Sequence, residues 1–182
     1  MITLGSHLAQ IKTPRAAVMP YTIKNGEMYF LLAVDKRSKD LTDLGGGVRK
    51  TEYSLDACLR EFKEETNEIF GELYDFANDK ALDIALINSN QATLFIPVSG
   101  DWHQKAPKSF KRIRYSRVFE KRKSHNEVSR LVWVTQDEFK ELLSDENQKM
   151  WKRLKEFYDK GFTETFLEIL KARISEICYD NE

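Results

Sequence analysis

About a third of the way along the chain, Glu61, Glu64, Glu65 and Glu68 stand close together in sequence. If the stretch from Ser54 to about Glu68 is a helix, each residue advances about 100°, and Glu64, Glu65 and Glu68 fall within about 60° of Glu61. Leu55, Cys58, Leu59, Phe62 and Ile69 gather on a neighbouring stripe, so one face packs while another presents carboxylates. Like charges at this spacing destabilise a helix by about 0.2–0.5 kcal/mol per pair. A hard divalent cation, Mg²⁺ or Mn²⁺, would relieve that repulsion because such ions prefer oxygen ligands. Ions held there could bridge a pyrophosphate, neutralise developing charge and lower the pKa of a bound water. On charge alone, a solvated acidic face is the commoner meaning of such a pattern.

The spacing around these acids is more specific. Gly46, five residues, Glu52, seven residues and then Arg60-Glu61-Phe62-Lys63-Glu64-Glu65 resembles the signature of the Nudix hydrolases, Gly-x5-Glu-x7-Arg-Glu-U-x-Glu-Glu-x-Gly-U, with U a bulky aliphatic residue. Six fixed positions match, and chance would produce that in a chain this long with a probability on the order of 10⁻⁵. Two positions depart: Asn67 stands at the signature's last glycine, and Glu68 at its last apolar position, with Ile69 one place later. Asn tolerates a left-handed helix cap, so the turn is expected to survive.

The resemblance implies an enzyme that uses metal-activated water to cleave a diphosphate linkage in a nucleoside diphosphate derivative. Carried over by position, Glu61, Glu64 and Glu65 would bind Mg²⁺ or Mn²⁺, with a further ligand from the Gly45 carbonyl. Glu52 would be the loop glutamate, and Arg60 would orient the carboxylates, a task its planar fork suits. Glu127, just before the apolar run Val128–Val134, is the candidate base or extra ligand; otherwise it is an acid at a strand edge. Cys58 lies near the packing stripe and reads as a core residue. His7, His103 and His125 have no supporting pattern.

Substrate is less legible. No Pro lies between Ile69 and Ile96, and the one Tyr there, Tyr74, is close to the signature, so markers of the ADP-ribose and dinucleoside polyphosphate subfamilies are not evident. The main clue is charge: residues 105–123 hold nine bases and the single acid Glu120, a local charge of +8. Arg112, Arg114 and Arg117 could hold phosphates there, with the interleaved Phe110, Tyr115 and Phe119 stacking on bases. That would suit a 5′-capped RNA end or, on charge alone, a diphosphoinositol polyphosphate. A solvated basic segment is the bland alternative, and a non-catalytic binding module a further one.

Arg15–Ile23 and Met28–Val34 are apolar runs around Asn25-Gly26, a strong hairpin signal. Leu41–Leu44 reads as a strand entering Gly45-Gly46-Gly47. Leu82–Ile87 and Ala92–Val98 form a second strand pair, the basic stretch is a long excursion, and Val128–Val134 returns as a strand. Ser54 is the expected N-cap of the acidic helix, and Thr135-Gln136-Asp137-Glu138 matches a capping box. Residues 1–14 read as an arm or short strand, and the tail from Asn147 as one or two helices broken at Lys160-Gly161. The expected fold is α/β, a Nudix-like α/β/α sandwich with a mixed sheet and additional C-terminal helices. One domain over 1–182 is expected, with a core of about 14–143 and a helical extension of about 147–182 that could also serve as a homodimer surface.

The chain has 182 residues, 29 Lys+Arg and 29 Asp+Glu, so the +8 stretch leaves −8 on the remainder. A hydrophobic content of 41% argues against disorder, and a mean hydropathy of −0.54 with no run near about 18 apolar residues argues against a membrane span. Two cysteines and no leader-like start suit a cytoplasmic protein.

Overall fold

The computed structural model describes residues 1–71, 83–115, 127–159 and 163–179. The Asn25-Gly26 hairpin joins β2 (Arg15–Lys24) to β3 (Glu27–Asp35), both turn residues having positive φ, 52° and 80°. Before it come the short strand β1 (Ile2–Leu4), one of the two forms expected there, and a 3₁₀ turn (Gly5–Ala9). β4 (Leu41–Thr42) and β5 (Leu44–Gly47) follow, then β6 (Ile84–Ile87), β7 (Gln91–Pro97) and β8 (Val128–Thr135). The described residues contain five α-helices: α1 (Ser54–Glu65), α2 (Trp102–Arg114), α3 (Gln136–Ser144), α4 (Lys149–Asp159) and α5 (Thr163–Tyr179).

The sheet is mixed and open, in the order β1-β6-β7-β2-β3-β4, with β5 also on β2 and β8 on β3. β2 pairs in parallel with β7 along one edge. On its other edge, residues Tyr21–Lys24 pair with β3, while Arg15–Val18 pair with Gly47–Leu44 of β5. The strands therefore part at the Arg15 end, and the glycine strand occupies the gap. An unbroken apolar run, Ala16 to Tyr21, is what a strand covered on both faces needs.

Alternation along the strands divides the core. Ala16, Val18, Leu31 and Leu94 pack with Ala57, Cys58 and Phe62 of α1 and Ala106 and Phe110 of α2. Met19, Phe30, Leu32 and Phe95 pack with Phe139 of α3, Leu154 of α4 and Phe166 and Leu170 of α5. The result is an α/β/α sandwich with α1 and α2 on one face and the three later helices on the other.

Three expectations change. The basic excursion begins as helix α2, whose stripe Trp102, Ala106, Phe110 packs inward; Pro107 and five cations mask the periodicity. The acidic helix stops at Glu65, and Asn67 and Glu68 both turn left-handed at φ 52° and 59°, so Glu68 leaves the acidic face. Ser54 is the first helical residue rather than the cap. Its buried Oγ accepts from the Thr13 N–H at 3.0 Å, while Asp56 accepts from the Tyr53 N–H at 3.0 Å. The Thr135–Glu138 capping box forms as read, with bonds of 2.7 and 3.2 Å. Arg117, Phe119, Tyr74, His125 and the Lys160-Gly161 break lie outside the described residues, and Phe110, buried in the inward stripe of α2, is closed to a base.

Candidate active site

Two glycines allow the loop and α1 to meet. A Cβ on Gly46 would stand 2.5 Å from the Glu61 carboxyl, so Glu61 lies directly over the strand. A Cβ on Gly45 would meet the Ala16 carbonyl oxygen and the Ala17 Cβ at 2.4 Å, so that residue is pressed against β2. From the other side, Ala57, Cys58 and Phe62 anchor α1 to the sheet. The Cys58 thiol donates to the Ala17 carbonyl at 3.2 Å, and burial pushes it up to about 12, so it is no nucleophile.

Arg60 is the hub of a half-buried rim. Its Nε donates to Glu52 Oε1 at 2.6 Å, its Nη2 to Glu52 Oε2 at 2.9 Å and to the Gly47 carbonyl at 3.0 Å, and its Nη1 to Glu61. Glu64 stands 3.7 Å from both Arg60 and Arg49. The bond from Arg60 outweighs desolvation and holds the Glu52 carboxyl down at about 2. One planar guanidinium thereby ties the loop glutamate, the glycine strand and two helix acids together.

Beneath the rim, Glu65 is half-buried, with its Oε2 shut off from solvent. Desolvation pushes its carboxyl up to about 8; Arg15 and the Gly45 backbone oppose this, while Asp43 and Glu61 add to it. Its Oε2 has no hydrogen-bond partner. Arg15 reaches the Gly45 carbonyl at 2.6 Å, Gln91 Oε1 at 2.8 Å and Asp43 at 2.9 Å. Asp43, wholly buried, also accepts from Gln91 at 2.6 Å and from Arg153 of α4. Burial works against its charge, but Arg15, Arg153 and Gln91 outweigh it and keep the carboxyl below its usual range.

Nothing in the sequence marked Arg15, Asp43, Gln91 and Arg153. The available signal was a charged residue opening or closing an otherwise apolar strand, as Arg15 and Asp43 do. The Gly45 carbonyl, read as a metal ligand, here accepts from Arg15, which leaves its second lone pair.

These donors suit a hard divalent cation. A buried carboxylate oxygen without a partner is costly, and a bound ion would satisfy it. Glu61 and Glu64 are turned onto Arg60 and Arg49, so among the described residues no three acidic, His or Cys side chains converge on one point. Glu65 would provide the inner ligand, with Glu61 and Glu64 the outer ones.

The other sequence candidates are more dispersed. Glu127 is exposed beside the start of β8, and its carbonyl accepts from the Lys36 N–H at 2.7 Å. Val128 pairs with Asp35, at the same end of the sheet as Arg15 and Gly47, but no bond links Glu127 to the helix acids. Arg112 and Tyr115 are exposed at the end of α2, Tyr115 by 78%. Arg114 instead donates to the Val128 carbonyl at 2.6 Å and fastens α2 to β8.

No protein-family profile matches the chain. An uncharacterized protein of Acanthamoeba polyphaga mimivirus is 46% identical over 61 residues, which cover 30% of this chain and 20% of that protein. The matched stretch is thus about a fifth of its relative's length. Among solved structures, a C. elegans Ap4A hydrolase binary complex is similar over 80% of this chain and 97% of its own, with 15% identity and a TM-score of 0.44. A NUDIX-family hydrolase from Clostridium perfringens covers 87% and 95%, with 16% identity and a TM-score of 0.41. These are loose likenesses of chain path and carry nothing about activity. No helix among the described residues is long and apolar enough to cross a membrane.

Proposed function

We propose that the chain is a Nudix-type pyrophosphohydrolase that cleaves the diphosphate linkage of a phosphorylated small molecule. The observation that carries this reading is the Glu65 carboxylate, with one oxygen buried and unpartnered, on the same helix as Glu61 and Glu64 and against a glycine strand. A solvated acidic face would not bury a carboxylate oxygen of one of its acids. Retention of all the signature acids favours an enzyme over a non-catalytic module.

Bound Mg²⁺ or Mn²⁺ would supply the activated water and offset charge on the pyrophosphate. The chain's own part is to hold the ion and orient its holders. Glu61, Glu64 and Glu65 provide the oxygens, and Arg60 fixes Glu61 relative to Glu52 and Gly47. In the reaction an oxygen of water bonds to one phosphorus as the bridging P–O bond breaks; the bridging oxygen leaves with the other phosphate. The water's proton passes to a carboxylate, and Glu127, beside the start of β8 at this end of the sheet, is the candidate for it.

A hydrolysis panel with Mg²⁺ and Mn²⁺ tests the reading, using nucleoside triphosphates, ADP-ribose, dinucleoside polyphosphates, diphosphoinositols and capped RNA. At least one diphosphate should be cleaved. Glu65→Gln should lose that turnover while its circular dichroism stays unchanged. Full activity in that variant sinks the assignment.

A second reading of the substrate rests on α2. Lys105, Lys108, Lys111 and Arg112 are exposed on one side of that helix, and none pairs with a carboxylate among the described residues. Such a face suits a polyanion, a 5′-capped RNA end above all.

A further inference from the structure

We propose that Arg153, on the helix α4 that follows the core, is a positioning residue for the cation site. It acts through Asp43 and Arg15 on the Gly45 carbonyl beside Glu65. The inference rests on the cation-dependent reading above.

The contacts form one chain. Arg153 Nη1 donates to both Thr42 Oγ1 and Asp43 Oδ1, the two residues immediately before the glycine strand. Asp43 in turn receives Arg15 on both oxygens, at 2.9 and 3.0 Å, and Gln91 at 2.6 Å. The Arg15 Nη2 that pairs with Asp43 Oδ1 also donates to the Gly45 carbonyl at 2.6 Å. The Gly45 backbone lies close enough to Glu65 to act on its carboxyl. Three directional links therefore run from α4 to the glycine beside the innermost acid of α1.

Docking of α4 does not require this arrangement. Met150 and Leu154 are buried in the core on that face, and Lys149 ties the helix to Asp35 and Ser38 at 3.3 and 2.9 Å. The Arg153 carbonyl also accepts from Asn88 at 2.8 Å. Two guanidiniums on one wholly buried carboxylate are a poor source of net stability, since desolvation offsets most of their attraction. What they do provide is direction, because a fork on a fully hydrogen-bonded carboxylate leaves few alternative geometries. Asp43 lies one residue before β5, so a shift there moves Gly45 and Gly46 against Glu65 and Glu61.

Mn²⁺ binding tests this without reference to turnover. The parent, Arg153→Met and Arg153→Lys are titrated with Mn²⁺, free ion being read by electron paramagnetic resonance, and each is melted in chelator. Losing a partner that orients a metal ligand costs about 10–100-fold in affinity, and Arg153→Met should fall in that range while still melting cooperatively. Arg153→Lys keeps a cation over Asp43, but its compact ammonium on a flexible stem lacks the planar guanidinium that sets Nη1 between Asp43 and Thr42, so it should recover affinity only in part. A folded Arg153→Met that binds Mn²⁺ as the parent does, within about twofold, overturns the inference and leaves the proposed function standing. Should Arg153→Met fail to fold, parent-like affinity in Arg153→Lys overturns it equally. A parent that binds no Mn²⁺ removes the cation-dependent reading and this inference together.

Discussion

Glu65 and Glu52 sit within one site and are driven in opposite directions by their surroundings. Burial lifts Glu65 from 4.5 to about 8, so its folded form holds a proton more tightly than its unfolded form. Its contribution to stability is then full below about pH 4.5 and disappears as pH rises through about 8. Glu65→Gln mimics the protonated state at every pH. In chelator, its thermal melt should match the parent near pH 4.5 and exceed it at pH 8.5, by on the order of a few kcal/mol. Equal melting at pH 8.5 would mean the carboxyl is not desolvated. Added Mn²⁺ should reverse the order, because it binds and stabilises the parent alone. For Glu52 the sign is opposite: Arg60 holds it at about 2, so its contribution is present above about pH 4.5 and lost as pH falls toward 2. Arg60→Lys offers one ammonium where a fork serves Glu52, Glu61 and Gly47. We expect kcat to fall by about 10–100-fold with a smaller change in KM, measured at saturating Mg²⁺.

At the scale of elements, two neighbouring glycines should respond differently to the same substitution. Gly45→Ala places a methyl 2.4 Å from the Ala16 carbonyl oxygen and the Ala17 Cβ, and neither backbone nor Cβ can swing away. It should cost about 1–3 kcal/mol, read from denaturant unfolding. Gly46→Ala meets only the end of Glu61, which can rotate, so stability should change little while Mn²⁺ affinity falls. The contrast also marks what was readable beforehand. Gly46, Glu52 and the acids of α1 lie within one short loop and helix, so local spacing was enough to bring them together. The hairpin was legible for the same reason, since Asn25-Gly26 fixes its turn locally. Helix α2 was hidden because its inward stripe is thin and interrupted by Pro107 among cations. Arg15, Asp43 and Arg153 were illegible for a different reason: Asp43 is 28 positions from Arg15 and 110 from Arg153. Only the split of β5 from β3, and α4 on the opposite face, bring the three together.

Across the whole molecule, formal neutrality resolves into two regions of opposite sign on one face of the sheet, acidic α1 and basic α2. Their packing is continuous: Phe62 stacks on Phe70 at 5.1 Å, and Phe70 meets Trp102 at the start of α2 at 4.4 Å. Helix α2 then runs toward the Arg15 end of the sheet, where Arg114 is tied to Val128 and Val128 pairs with Asp35. A chain of phosphates held along Lys105, Lys108, Lys111 and Arg112 would thus lead toward α1, whereas a small diphosphate would need only the carboxylate end. Salt separates the two cases. Each phosphate contact released from a single strand contributes about −0.7 to the slope of log affinity against log salt. If α2 guides RNA, Lys108→Glu/Lys111→Glu should make the slope shallower by about 1–1.5 for a capped oligonucleotide. It should raise KM for that oligonucleotide far more than for a dinucleoside polyphosphate. Steady-state kinetics between about 50 and 200 mM salt would read both. An equal effect on the two substrates, or an unchanged slope, would leave α2 as a solvated face and confine recognition to the loop and helix around Glu65.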